Sequence, residues 1–208
     1  MVVLLRRLGP VMPERRFPVS SQEPLVGEIT FGAFANPLMK KIMKEFGRDA
    51  FARCSACMEF EDFLKRILAG RRFPACLEIG TYHGITAVLL SQYFDRVVCV
   101  SIDDDPKKLM RDEIVEFLGI TNIEFRDVID EKHKAEIVNA LEFDFAYSDG
   151  DHTHCAREDF ELVKRCGRVL LHEYWPLQAP VWNLVNSLPQ AEVTRADYDC
   201  FAFWRRNG

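Results

Sequence analysis

From residue 75 onward, short apolar runs alternate with amphipathic stretches, and this rhythm restricts the chain more than any other feature. The runs ACLEI (75–79), RVVCVSI (96–102), NIEFRDV (122–128), FDFAYSD (143–149) and RVLLHEY (168–174) have the length of strands; RVVCVSI reads as buried, and NIEFRDV carries Ile123 and Phe125 on one side. Residues 85–94, 106–118, 131–141, 154–167 and 179–188 read as helices between and after them. Strands joined by helix-sized crossovers pair in parallel, with helices covering both sheet faces. The last two apolar runs, AEVTR (191–195) and DCFAFWR (199–205), are too close for a crossover helix. They predict an antiparallel hairpin at one sheet edge. The expected fold class is α/β, a three-layer sandwich whose mostly parallel sheet ends in a C-terminal antiparallel hairpin.

Two amphipathic helices precede this unit. Residues 36–46 begin with Asn36 as a cap and Pro37 at the first helical position, with Leu38, Ile42 and Phe46 on one face. Residues 58–69 repeat the pattern and stop at Gly70. Residues 1–57 are expected to form an N-terminal arm and helical cover, and 58–208 the α/β domain. Pro10, Pro13, Pro18 and Pro24 deny a helix to the first 28 residues. That basic stretch, with Arg6, Arg7, Arg15 and Arg16, reads as a solvated tail, a substrate lid or the arm of a homodimer.

Composition narrows the function classes. The 208 residues carry 27 Lys plus Arg against 32 Asp plus Glu, a net charge of −5, which argues against a broad nucleic-acid footprint. No run of about eighteen apolar residues exists to span a membrane. The N-terminus lacks the basic region and longer apolar run of a signal peptide. Seven cysteines cannot all pair within one chain, and Cys76 and Cys99 fall in buried runs as small hydrophobes, so a cytoplasmic location is expected. Cys54 and Cys57 supply only two of the four ligands of a structural zinc site.

Right-handed crossovers place the C-terminal ends of the parallel strands on one edge, where ligands bind in such sheets. The polar groups gather there: Glu78 to Gly84, Ser101 to Asp105, Asp127, Asp149 to His154, and His172 to Tyr174. Gly80 suits a tight turn, and Gly84 lets the next helix start close to it. Tyr82 breaks the G-x-G-x-x-G dinucleotide fingerprint, and no Gly-Lys-Ser/Thr follows to make a P-loop. Glu78 can accept from loop amides or hold a cationic ligand group. Thr86, in the first helical turn, can meet a ligand carboxylate beside free N–H groups. His152 and His172 are candidate bases, because imidazole titrates near neutrality.

The segment LEIGTYHGITAVLL resembles the first motif of class I S-adenosylmethionine-dependent methyltransferases, above all the catechol-type small-molecule O-methyltransferases with their E-x-G-x-Y-x-G loop. FDFAYSDGDHTHCAREDFELVKRCGRVLLHEY resembles the fourth and fifth strands of that group. The resemblance covers roughly residues 58–205 and implies the Rossmann-like fold of that class. It implies that Glu78, Gly80, Tyr82, Gly84 and Thr86 form the pocket for the methionine half of S-adenosylmethionine. Ser101 stands where an acid usually binds the ribose, with Asp103 two residues on; Asp127 matches the adenine region, and Asp149 borders the cofactor. In the metal-dependent branch two acids and an Asn hold a magnesium-like ion. Asp149 and Glu173 match the acids, Tyr174 replaces the Asn, and Asp151 is the remaining candidate ligand. The function implied is methyl transfer to a small-molecule acceptor, at a hydroxyl oxygen, with His152, His172 and Asp149 doing the proton chemistry. The departures at Ser101 and Tyr174 favour the other reading, a methyltransferase-like module that binds ligands or partners without catalysis.

Overall fold

The computed structural model describes residues 36–47, 49–51, 58–102, 105–151, 154–172, 179–196 and 201–207. Helix α1 (Pro37–Phe46) begins as expected: the Asn36 side chain accepts from Leu38 N at 2.9 Å, and Pro37 follows. Its buried face is Met39, Ile42 and Met43, rotated slightly from the face expected through Leu38 and Phe46. Helix α2 (Met58–Leu68) follows.

The α/β alternation then runs β1 (Phe73–Ile79), α3 (Ile85–Leu90), β2 (Phe94–Ser101), α4 (Asp105–Leu118), β3 (Ile123–Asp127), α5 (Glu131–Asn139), β4 (Phe145–Ser148), α6 (Ala156–Val163), β5 (Arg168–His172) and α7 (Ala179–Ser187). The hairpin strands are β6 (Val193–Arg195) and β7 (Phe201–Arg205). The helix expected over 85–94 is shorter than its apolar run. Phe94 already pairs with Phe73 as the first residue of β2.

The sheet order is β3-β2-β1-β4-β5-β7-β6. The first five of these strands are parallel, β7 runs antiparallel to β5, and β6 lies outside β7. Alternation along the strands divides the core in two. Cys76, Cys99, Phe145, Tyr147, Leu170, Phe201 and Phe203 face α1 to α4. Leu77, Val98, Ala146, Val169, Leu171 and Trp204 face α5 to α7. On the first side, Phe60 of α2 sits 5.2 Å from the Tyr147 ring and 5.1 Å from Phe201. Its complete burial contributes about 2–3 kcal/mol and seats α2 on the sheet. All six residues of α3 are buried, so it has no polar face.

Among the described residues, the two outer strands of the sheet are short or charged. β6 has three residues. β3 carries Glu124, Arg126 and Asp127, and Glu124 pairs with Arg96 at 2.5 Å and with Arg126. Among the described residues no helix is long and apolar enough to cross a membrane.

Candidate functional site

The turn after β1 is held from both sides. Gly80 N donates to Val100 O of β2 at 3.0 Å, and Asp149 N donates to Ile79 O at 2.8 Å. Gly80 has φ 84°, and a Cβ there would lie 2.2 Å from the Asp149 carbonyl oxygen. The end of β4 therefore rests on the glycine. Tyr82 takes the left-handed region at φ 52°. Gly84 precedes α3 with its α-carbon against Arg111, whose Cγ would meet an added Cβ at 2.9 Å. Both glycines are thus required by protein packing as well as by the turn.

Around this turn the polar side chains are mostly inside. Glu78 is 0% exposed and lies in register between Cys99 and Tyr147. Burial pushes the Cys99 thiol well up, and the charge of the neighbouring Glu78 carboxylate pushes it further. Thr86 and Ser101 are buried at the start of α3 and the end of β2. Thr81 is buried too, and its Oγ1 has no hydrogen-bond partner among the described residues. The Tyr82 ring lies 4.1 Å from the His83 ring at a tilt of 38°, while Lys107 Nζ lies 5.0 Å from the Tyr82 centroid. His83 Nδ1 is 3.3 Å from Ala50 O, which ties the loop to the short turn after α1.

The ends of β4 and β5 bring two expected residues together. His172 Nδ1 lies 2.5 Å from Asp149 Oδ1, and Tyr147 donates its hydroxyl to Asp149 Oδ2 at 3.0 Å. Tyr147 and Asp149 are two residues apart, which places them on one side of an extended chain. The His172 ring stacks on Phe201 with centroids 4.9 Å apart, which fixes its orientation. A carboxylate only accepts, so the His172 Nδ1 carries the hydrogen; in the neutral ring it is Nε2 that offers the lone pair. Both His172 and Asp149 keep 17% side-chain exposure, so the pair is reachable.

Asp127 ends β3 directly beside Ser101. Its carboxylate accepts from Arg111 at 2.9 Å, and Lys108 Nζ lies 3.8 Å away. The Arg111 side chain is only 4% exposed, also bonds Asp112 at 3.0 Å, and lies 4.1 Å from the Phe125 ring centroid. It therefore closes the floor between the glycine turn and the end of β3.

Asp103, His152, Glu173 and Tyr174 fall outside the described residues, as do Cys54, Cys57 and residues 1–35. The sheet brings Glu78, Gly80, Tyr82, Gly84, Thr86, Ser101, Asp127, Asp149 and His172 to one edge. Both Asp149 oxygens are engaged, by His172 and Tyr147, and no cluster of three His, Cys, Asp or Glu suited to a metal occurs among the described residues. Tyr147 and Arg111 join the site without having been singled out in the sequence. Strand alternation from Asp149 points to Tyr147, whereas no spacing links Arg111 to Gly84.

The sequence matches no protein-family model and no curated protein. The fold is nevertheless that of class I methyltransferases. An O-methyltransferase from Bacillus cereus in complex with SAH superposes with TM-score 0.64 at 13% identity, over 87% of this chain and 97% of that one. An rRNA methylase from Streptococcus thermophilus gives 0.55 at 15% identity, over 71% and 95%. Precorrin 8w decarboxylase from Methanobacterium thermoautotrophicum gives 0.53 at 11% identity, over 72% and 90%. The same fold thus carries more than one chemistry, and the choice among them rests on the site.

Proposed function

We propose that this chain transfers a methyl group from S-adenosylmethionine to a hydroxyl oxygen of a small molecule. The observation that carries the reading is the His172–Asp149 pair beside the glycine turn. The residues present fit the methionine end of the cofactor: Thr81 Oγ1 is a buried polar atom without a partner among the described residues, and buried Thr86 and Glu78 flank it in the chain. When bound, the cofactor supplies a methyl carbon already activated by its sulfonium. His172 Nε2 accepts the acceptor hydroxyl proton, and Asp149 holds the resulting imidazolium through Nδ1. Tyr147 keeps the Asp149 carboxylate turned toward the histidine. The acceptor oxygen gains the methyl group and loses its proton to His172, which returns it to water. No step is assigned to a metal.

Isothermal titration calorimetry with S-adenosylhomocysteine, followed by a screen of hydroxylated aromatic acceptors, tests this. Saturable binding is expected, with His172→Ala retaining it while turnover falls about 10²–10⁴-fold. Absence of saturable binding to folded protein up to about 1 mM ligand would overturn the proposal. Ser101, in place of an acid at the end of β2, favours the second reading, a binding module without turnover. That reading expects binding with no methylated product from any acceptor.

A further inference from the structure

The opposite rim of the sheet, where β1, β4 and β5 begin, carries a separate cavity of about 90 Å³ next to the C-terminal end of α2. Phe73, Phe145 and Phe203 give it an aromatic wall, and Arg71, Arg168 and Arg205 give it positive charge. The Phe145 and Phe203 rings stack at 5.8 Å with 14° between planes. The Arg168 guanidinium lies 4.9 Å from the Phe73 centroid. β1 spans seven residues, so this rim is about 20 Å from the glycine turn.

Among the described residues, no carboxylate pairs with this clustered charge. Arg168 and Arg205 are directly paired residues of neighbouring antiparallel strands, where like charges oppose the pairing. Among the described residues no ion pair involves Arg71, Arg168 or Arg205. The nearby acid, Asp144, turns its carboxylate to Ala75 N at 3.2 Å and offers Arg168 only its backbone carbonyl, at 3.4 Å.

We propose that this cavity binds a small carboxylate with a flat apolar body. Guanidinium forks match a carboxylate, and aromatic walls match a ring. The volume is far below the roughly 300 Å³ typical of pockets that enclose larger ligands, which favours a single small ring over a nucleoside. The site is therefore distinct in both place and ligand from the glycine turn.

The test is calorimetry and saturation-transfer NMR on the full chain at low salt, with benzoate, benzamide and inorganic phosphate as probes. Benzoate is expected to bind with Kd below about 1 mM. Arg71→Gln and Arg205→Gln, both at exposed positions and checked for folding by circular dichroism, should each weaken it about tenfold. Benzamide and phosphate should bind at least about tenfold more weakly than benzoate. Equal benzoate affinity in both variants, benzamide or phosphate binding as well as benzoate, displacement by S-adenosylhomocysteine, or no saturable benzoate binding would each overturn the proposal. None of these outcomes decides whether the chain transfers methyl groups.

Discussion

Replacing Gly80 by Ala tests the contact between the β1 turn and the end of β4. The added methyl would stand 2.2 Å from the Asp149 carbonyl oxygen and 2.8 Å from the Gly150 α-carbon. Both are backbone atoms, so no rotamer change relieves the clash, and the β4 end must move by about 1 Å. A left-handed alanine costs about 1–2 kcal/mol, and forced repacking about 1–3 kcal/mol more. Gly119 is the control: it has φ 63° with nothing within 4 Å of an added Cβ, so only the conformational part applies. Urea unfolding should therefore show Gly80→Ala less stable than Gly119→Ala by about 1–3 kcal/mol. Because Asp149 moves with the clash, SAH binding should weaken in the first variant alone. Equal losses of stability in the two variants would refute the reasoning.

Asp159→Asn removes one of the two carboxylate partners of Lys134, a buried pair at 2.5 Å with exposures 2% and 7%, and with Glu131 still in place should cost about 1–3 kcal/mol in urea unfolding. Burial works against the Lys134 charge, but hydrogen bonds with Asp159 and Glu131 outweigh it and raise its pKa. Its contribution is then full below the unfolded lysine pKa of about 10.4 and is lost as pH rises through the higher folded value. Wild-type stability should fall in that alkaline window, and the fall should be shallower in Asp159→Asn; identical profiles would count against the pair. Arg111→Met keeps the packing volume but removes the hydrogen bond to half-exposed Asp127, and should destabilise by about 1–2 kcal/mol in the same assay. Burial raises the Cys76 and Cys99 thiols, so alkylation mapped by mass spectrometry should reach them only after unfolding.

The central strands are legible in the sequence because they are continuous apolar runs, β3 because Ile123 and Phe125 alternate with charged residues, and the hairpin because too few residues separate its two runs. The end of α3 is not. Residues 85–94 are largely apolar, and periodicity cannot show that Phe94 belongs to the next strand. Asp149 and His172 are legible as neighbours because both end adjacent parallel strands. Arg111 and Lys134 are not, because each sits in a polar helical segment where a cation reads as solvated. Their partners Asp127 and Asp159 lie 16 and 25 residues away. Arg168 and Arg205 read only as strand ends, and their pairing appears once β7 is placed against β5.

The guarded rims of the sheet bear on self-association. An unpaired strand invites a second copy to continue the ladder. Among the described residues, one rim offers the three residues of β6, and the other offers β3 with its charged side chains. Among the described residues, a sheet lengthened from copy to copy is therefore disfavoured at both of its rims.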